Sequence, residues 1–453
     1  MNPCEVVDAW MSLLGEFDCC FTAPGRRRFA ALTSGALLCE GRPLVTEIVT
    51  ALGLQNQWRS VEAFLEYGAW PLEQVEGVLA RVAAACARSE ERQVWAVDDL
   101  KVLKSGKKIW GACSFHEYTS RSANRPETVW AHNWVLCGAL KVGPGKAFLP
   151  TAGRLYMRKD QMPEGETFRT KPWLAVEALR RCAKFTRRGG AAREPHLAIF
   201  DGGYAVSSVV EPLTSPSQGQ PRIEWLTRLR HDSRLYQPPA SRQPGQMGRP
   251  RRWGPRLPAP KDAERWPCPW CEGKALVYGK MRRIRYKKLY CQWHPAGPDA
   301  RVHALVFRVE GYKKPWYLVS SDLRLQAEQV LGFYAARFAQ EDAHRDLKQH
   351  LGLGASQGRL KNAVLRTLQL RLIGMTLLRL FGAALDLAHG SAWWSKPPWY
   401  QHKRRGSVRD IKRVLTGATE EFSQLDWHSL TFEKLGRLPL AGRNTPMPLR
   451  RAA

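Results

Sequence analysis

The stretch HLAIFDGGYA, residues 196–205, decides the fold class of this chain. Four consecutive apolar residues, from Leu197 to Phe200, indicate a buried strand, and the two glycines after Asp201 indicate a sharp turn where that strand ends. The preceding segment TKPWLAVEALRRCAKF, residues 170–185, has the apolar spacing of an amphipathic helix. Because one helix precedes the strand and another is expected after it, the stretch predicts an α/β fold.

Four further segments have the pattern of strands. They are QVWAVDD (93–99), IWGACSF (109–115), WVLCGALKV (134–142) and RIEWLTRLR (222–230). The resulting order is strand, strand, strand, helix, strand, helix, strand, which is the order of an RNase H-like domain. We therefore predict an RNase H-like α/β catalytic core, a mixed five-stranded sheet with flanking helices.

The regions on either side of this core have other patterns. The first 92 residues have helical apolar spacing, and the helices expected between Pro43 and Trp70 fit either a helix-turn-helix or a plain bundle. Residues 232–266 are rich in Pro, Arg, Gly and Gln, which indicates either a disordered linker or a basic arm along a phosphate backbone. The strand-like segments that follow indicate a β-rich insertion, and a further helix and a helical tail come after it.

These patterns predict a division of the chain into five parts. They are an all-helical domain (1–92), the first part of the core (93–231), the arm and β-rich insertion (232–325), the second part of the core (326–390), and a basic helical C-terminal region (391–453).

The charge balance points to a polyanionic partner. Seventy Lys and Arg against 41 Asp and Glu give a net charge of +29, and the surplus is spread along the whole chain. Such a field attracts nucleic acid, whereas a peripheral membrane protein would concentrate its cations in one helix or tail. No signal peptide is visible, and Arg371, Arg379 and Asp386 interrupt the most apolar segment. We therefore expect a soluble, intracellular protein with no membrane partner.

Four residues of the insertion have the spacing of a zinc site. Cys268 and Cys271 form one C-x-x-C pair, and Cys291 and His294 form a second pair after nineteen intervening residues. Two such pairs can supply four tetrahedral ligands to a structural Zn²⁺ ion. The alternative is that the spacing arose by chance among reduced thiols, since eleven scattered cysteines do not indicate a disulfide framework.

A late segment, FYAARFAQEDAHRDLKQHLGLG (333–354), places a carboxylate among cations. On one continuous helix, Tyr334, Arg337, Glu341 and Lys348 would share an arc of roughly 60°. This face is either a solvated stripe of charge pairs, such as Glu341 with Arg345, or part of an active site.

Three acidic positions together favour the active site. They are Asp98 or Asp99 in the first predicted strand, Asp201 at the end of the buried strand, and Glu341 on the late helix. In an RNase H-like sheet these two strands are neighbours, and the helix can place its glutamate across them. Clustered carboxylates raise one another's pKa unless a cation compensates. Two Mg²⁺ or Mn²⁺ ions about 4 Å apart supply that charge and activate an oxygen nucleophile at a phosphodiester.

These motifs resemble the bacterial insertion-sequence transposases with DDE chemistry, in the branch with a Y-x2-R-x3-E-x6-K signature. Tyr334, Arg337, Glu341 and Lys348 match all four signature positions. The segments VDDLKVLKSGKKIWGA, KPWLAVEALRR, FDGGYA, SRLYQPPASRQPGQMGRPRRWGPRLPAP and KQHLGL extend the resemblance over about residues 20–380.

The resemblance implies a role for each matching residue. Asp201 and Glu341 would be the second and third catalytic acids and metal ligands. The first would be Asp98 or Asp99, because this chain reads Asp-Asp-Leu where such transposases usually have Asp-Asp-Thr. Strand alternation lets only one of the two point at Asp201, and the expectation here is Asp99. The residues implied to bind DNA are Tyr334, Arg337 and Lys348, with Arg249, Arg251 and Arg252 of the arm.

The resemblance also implies an activity and partners. The expected reaction is magnesium-dependent cutting of element ends, followed by joining to target DNA, with the helical domain on the terminal inverted repeats and two protomers pairing the ends. An insertion tryptophan could stack on a flipped base, and the candidates are Trp253, Trp266, Trp270 and Trp293. The alternatives are an RNase H-like nuclease without strand transfer and an inactive DNA-binding descendant.

Overall fold

A computed structural model describes residues 2–87, 92–117, 128–143, 145–186, 196–241 and 247–427. The N-terminal part is helical, as the apolar spacing predicts. The helices before the first strand are α1 (Pro3–Gly15), α2 (Ala23–Leu38), α3 (Val45–Thr50), α4 (Trp58–Tyr67) and α5 (Leu72–Ala87).

The remaining elements alternate between strands and helices before the insertion and become mainly helical after it. In chain order they are β1 (Val94–Leu103), β2 (Cys113–His116), β3 (Thr128–Lys141), β4 (Ala147–Tyr156), α6 (Lys171–Thr186), β5 (His196–Phe200), α7 (Ser207–Thr214), β6 (Ile223–Arg228), β7 (Leu235–Tyr236), β8 (Cys271–Val277), β9 (Lys280–Trp293), β10 (Val302–Val309), β11 (Trp316–Ser320), α8 (Ala327–Ala336), α9 (Phe338–Gln349), α10 (Lys361–His389), α11 (Val408–Thr416) and α12 (Thr419–Gln424).

The strands in the described ranges form one mixed sheet, which confirms the α/β class. Its order is β2-β3-β1-β5-β6-β11-β10-β9-β7, with β4 also paired to β3 and β8 to β9. β1, β5 and β6 are parallel neighbours, and β3 runs antiparallel to β1. The buried strand that contains Leu197 to Phe200 is therefore central, which explains its continuous apolar run.

The sheet is larger than the five strands expected for the core, because the insertion extends the same sheet. β11 pairs antiparallel with β6, at Leu318 opposite Arg228 and Ser320 opposite Leu226. β10 and β9 then continue outward from β11. The backbone groups at the free edge of β6 are thus paired by the insertion, since an open edge would leave them unsatisfied.

The proline-rich segment is packed in part, which corrects the expectation that it buries no core. Leu235 and Leu257 are buried, and β7 pairs with the end of β9 at Leu235 opposite Trp293. Trp266 is also buried and donates from Nε1 to the carbonyl of Pro258 at 3.0 Å. This segment therefore covers one end of the extended sheet.

Helix α10 ties the helical N-terminal part to the sheet. Arg366 donates to the carbonyls of Phe64 and Leu65 at 3.0 and 2.9 Å, and Trp70 donates to Gln369 Oε1 at 2.7 Å. The helix is long and apolar enough to cross a membrane by length and composition alone, but 89% of its most apolar window is buried inside the protein. Its apolar character is therefore that of a core helix.

Candidate active site

Asp98 and Asp201 lie side by side on neighbouring strands. The parallel register of β1 and β5 pairs Val97 with Phe200, so the next residue of each strand is one of the two aspartates. Asp201 stands where β5 ends and a 3-10 turn begins, whereas Asp98 lies within the longer strand β1. The parallel register therefore brings these two carboxylates together at one edge of the pairing.

Asp99 belongs to the opposite face of the sheet. Its carboxylate accepts hydrogen bonds from Lys171 Nζ on α6 and from the buried Tyr204 hydroxyl. Asp98 instead accepts a hydrogen bond from Arg337 on the α8–α9 side. Strand alternation thus separates the pair as expected, but the residue that joins the late helix is Asp98 and not the expected Asp99.

Arg337 joins Asp98 to Glu341. Its Nη1 lies 3.0 Å from Asp98 Oδ2 and its Nη2 lies 3.3 Å from Glu341 Oε1. The predicted single helix is in fact two helices, because the turn at Arg337 separates α8 from α9 while keeping a helical backbone. Tyr334 and Glu341 both contact Arg337, so these three signature residues lie together across the boundary between the two helices.

Burial and neighbouring charges shift the pKa values of Asp98 and Arg337. Burial raises the pKa of Asp98 to about 6, and the nearby Asp201 charge adds to the rise while Arg337 opposes it. Burial lowers the pKa of Arg337, but Tyr334 and the three carboxylates Asp98, Asp201 and Glu341 raise it overall. The guanidinium therefore compensates a cluster of negative charge in which Asp98 is mostly buried and Glu341 is about half exposed.

The other two residues of the signature lie at different distances from this cluster. Tyr334 packs its ring 5.8 Å from the Arg337 guanidinium, and burial raises the pKa of its phenol, with Asp201 contributing. Lys348 is exposed on α9, and the charges that act on it are those of Glu117 and Lys101. Lys348 is thus available for a DNA contact farther along β1 than the aspartates.

Arg228 and Tyr278 lie at the site but were not predicted from the sequence. Arg228 ends β6 one position after Thr227, which pairs with Phe200, so it lies next to Asp201. Tyr278 at the β8–β9 turn is within range of the Glu341 and Arg337 charges. Arg228 lies within the predicted strand 222–230, so its strand was predictable although its neighbour was not. Tyr278 had no signal in the sequence, because its approach depends on the fold of the insertion.

The other predicted DNA contacts lie in the insertion. Arg249 and Arg251 are exposed, and Arg252 is exposed and pairs with Asp299 at 3.1 Å. Trp266 and Trp293 are buried, so neither is free to stack on a base. The remaining two tryptophans are only partly covered: Trp253 stacks on His294, and Trp270 lies beneath Arg308 and Arg285.

The predicted zinc site is wrong. Cys271 lies opposite Tyr286 on β9, and Cys291 is five residues farther along that strand, about 17 Å at 3.4 Å per residue. Cys291 is buried in the core, while His294 stacks on Trp253 with ring centroids 5.6 Å apart. The two pairs of potential ligands therefore do not converge on one point.

The carboxylate cluster suits a hard cation by donor chemistry but is held here by an arginine. Across the described ranges, no three His, Cys, Asp or Glu side chains are placed to hold a metal ion. Asp98, Asp201 and Glu341 nevertheless supply the oxygen donors that Mg²⁺ and Mn²⁺ prefer. The raised pKa of Asp98 indicates a position where added positive charge is favourable. The donors fit, provided that Glu341 leaves Arg337.

Paired aspartates at one edge of parallel strands form an acidic site of the kind that metal-dependent nucleases use. A family model described as DDE superfamily endonuclease matches residues 16–291, more than half of the chain. The chain belongs to this superfamily, whose substrate is DNA and whose members typically use divalent metal ions. The matched range contains Asp98, Asp99 and Asp201 and ends before Glu341. A comparison with curated proteins found no match.

Proposed function

We propose that this chain is the transposase of a bacterial insertion sequence, which cuts the ends of its element and joins them to target DNA. The observation that carries the proposal is the register of β1 and β5, which sets Asp98 beside Asp201 while Arg337 connects Asp98 to Glu341. The strand order β4-β3-β1-β5-β6, with three parallel strands, supports an RNase H-like core. The net charge of +29 supports binding of a polyanion.

In this proposal Asp98, Asp201 and Glu341 hold the divalent ions. Two bound Mg²⁺ or Mn²⁺ ions would activate a water or 3′-hydroxyl oxygen and stabilise the leaving oxygen of the phosphodiester. Arg337 then exchanges Glu341 for a DNA phosphate, since a guanidinium binds carboxylate and phosphate with the same fork of donors. Asp99 is a positioning residue, because it fixes Lys171 and Tyr204 on the far side of β1.

Other cations would hold the DNA backbone around this centre. Arg228 lies beside Asp201, Lys348 lies toward Lys101, and the exposed arginines of the arm lie on the insertion. Such contacts position the substrate without reading its sequence. The helical N-terminal part would recognise the element ends, and two protomers would pair them in the bacterial cytoplasm.

The test uses supercoiled plasmid that carries the DNA flanking this chain's own gene, incubated with protein and Mg²⁺ or Mn²⁺. Metal-dependent cleavage followed by joined products supports the transposase. Cleavage without joined products would instead establish the nuclease alternative. If wild type neither cuts nor joins but still binds, the chain is a DNA-binding descendant.

A matched pair of variants ties the activity to the site. Glu341→Gln removes the proposed metal ligand, whereas Asp342→Asn changes the neighbouring acid, which pairs with the exposed Arg345 at 3.1 Å. We expect Glu341→Gln to abolish cleavage with binding retained and Asp342→Asn to keep both. Equal activity of the two variants would overturn the assignment of Glu341.

A further inference from the structure

The segment 390–407 forms a loop rich in aromatic and basic residues that the proposed function does not use. It follows α10 and contains Trp399 and Tyr400 together with Lys396, Arg404 and Arg405. The whole stretch from Leu387 to Arg409 contains no Asp or Glu. We call this segment the aromatic–basic loop.

The loop is held firmly at its base. Trp393 donates to Asp386 Oδ1 at 2.9 Å, and its ring packs so closely on Gly406 that an added Cβ there would lie 1.9 Å from the ring. Lys403 is buried, donates to Asp410 Oδ2 at 2.6 Å and lies 5.3 Å from the Trp394 ring centroid. One tryptophan and one lysine thus serve the loop's own structure.

The opposite side of the loop presents its aromatic rings to solvent. Trp399 is 86% exposed, the highest value for an aromatic side chain in the described part of the chain, and Tyr400 is 55% exposed. Arg404 and Arg405 are exposed beside them. Apolar rings cost free energy in water, so such a pair on an anchored loop marks a binding surface.

The loop is connected to the rim of the candidate active site. Arg405 Nη1 donates to the carbonyl of Lys146 at 2.7 Å. The Lys146 ammonium lies 5.6 Å from the Tyr278 ring centroid and 5.9 Å from that of Phe338. Phe338 directly follows Arg337, the residue that joins Asp98 to Glu341. A chain of contacts therefore runs from Phe338, the residue after Arg337, through Lys146 to Arg405 of the loop.

We propose that the aromatic–basic loop binds unpaired bases of the DNA strand next to the cleaved phosphodiester. Exposed rings among cations suit single-stranded nucleic acid, because the bases stack on the rings while the cations hold the backbone. The complete lack of carboxylates favours a polyanion over a protein partner. The inference rests on the proposed function, because it adds a second contact for the DNA that the site would cut.

The experiment compares fluorescence anisotropy of a labelled duplex with a single-stranded overhang and of the same duplex with blunt ends, in EDTA so that no cleavage occurs. One variant, the leucine pair, carries Trp399→Leu together with Tyr400→Leu. A second variant, the phenylalanine pair, carries Trp399→Phe together with Tyr400→Phe. Leu387→Ala, a 63% exposed apolar residue at the end of α10, is the control.

We expect the leucine pair to weaken overhang binding about tenfold or more and to leave blunt binding unchanged. The phenylalanine pair should stay within about threefold of wild type, since a ring is retained. Replacing Arg404 and Arg405 by alanine should weaken the binding of both probes. It should also reduce the slope of log K against log salt concentration by about 2. These exposed positions allow all variants to fold, and unchanged thermal melting checks this.

An unchanged overhang preference in the leucine pair would overturn the inference. If the leucine pair changes only the self-association measured by sedimentation, the loop binds a second copy of the chain and the inference is overturned. If it changes only the binding of anionic lipid vesicles, the loop binds a membrane and the inference is overturned as well. The plasmid assay separates the two proposals: a wild type that binds the overhang through Trp399 but never cuts refutes only the proposed function. Cleavage by wild type with no effect of Trp399 on binding refutes only the loop contact.

Discussion

Arg337 Nη1 lies 3.0 Å from Asp98 Oδ2, and only 13% of the arginine side chain and 22% of the aspartate side chain are exposed. This pair connects the centre of the sheet to the helix that follows the insertion. Two segments separated by more than two hundred residues thus meet through one charge-assisted hydrogen bond.

Removing Arg337 should destabilise the protein unless a divalent cation replaces it. Arg337→Ala leaves Asp98 buried without its cation, and we expect the free energy of unfolding to fall by about 1 to 3 kcal/mol in EDTA. Mg²⁺ should stabilise this variant more than wild type, because the ion takes over the compensation. Urea denaturation with and without Mg²⁺ measures both effects.

The control for that experiment is Arg345→Ala. Arg345 is 59% exposed and pairs with Asp342, so its loss should change stability by no more than about 0.5 kcal/mol, with no added response to Mg²⁺. If Mg²⁺ raises the free energy of unfolding equally in both variants, the Arg337 guanidinium does not stand where a metal ion would bind.

Asp98 and Asp99 should differ in their effect on DNA cleavage. Asp98→Asn removes a proposed metal ligand and should reduce the rate by about a thousandfold or more. Asp99→Asn keeps an acceptor for the Tyr204 hydroxyl and should lose no more than about tenfold, because it acts through Lys171 and Tyr204. The measurement is the single-turnover rate at saturating Mn²⁺. If Asp99→Asn loses more of the cleavage rate than Asp98→Asn does, Asp99 is the first catalytic acid, as the sequence predicts.

Arg366 should be a major link between the helical part and the rest of the fold. It donates to the carbonyls of Phe64, Leu65 and Gly68, the last at 2.8 Å, from a buried position on α10. Arg366→Leu leaves these acceptors unpaired and should cost about 2 to 4 kcal/mol. Thermal melting compares it with the exposed Arg359→Leu, which should melt as wild type. Equal melting temperatures would show that packing alone joins the two parts.

Acid should destabilise the protein through its buried histidines. Burial lowers the pKa of His303 to about 4, so the unfolded chain, with a histidine pKa near 6.5, binds the proton first. Stability is therefore full above about pH 6.5 and falls as the pH drops toward 4. His303→Leu should reduce the loss between pH 7.5 and 5.5 by about 1 kcal/mol. The matched control is the exposed His231→Leu, for which the loss should equal that of wild type.

The same direction holds for four other histidines, including His350, so the acid sensitivity should be steep. Burial lowers the pKa of His132 and His196 to about 4 and of His344 to about 3. A pH profile of wild type that is flat between 7.5 and 5.5 would contradict this account.

The central strands were predictable because their signals are local. Four apolar residues before Asp201 mark a strand covered on both faces, and the parallel neighbour β1 has a similar run from Val94 to Val97. Strand β4 was missed, because Pro150 and Gly153 interrupt its pattern while the fold accommodates both residues. Local patterns thus predicted the two strands that carry Asp98 and Asp201, but they did not predict every strand around them.

The choice between Asp98 and Asp99 could not be made from one strand. Alternation states that the two point to opposite faces, but which face α9 covers depends on how the insertion returns the chain to the core. The zinc prediction failed for a related reason. The spacing of Cys271 and Cys291 gives their separation along the chain, whereas the register of β8 against β9 decides how far apart they lie in space.

The pairing of β11 with β6 also has a consequence for protein synthesis. The residues that meet there, Leu318 and Arg228, are ninety positions apart, and Glu341 is made later still. Asp98 leaves the ribosome 243 residues before Glu341, which at about 5 to 20 residues per second is on the order of 10 to 50 s. During that interval the nascent chain gains Asp201 and the remaining strands of the sheet but still lacks Glu341. Under the proposed function, a chain whose synthesis stops before Glu341 would therefore carry an incomplete site and should not cut DNA.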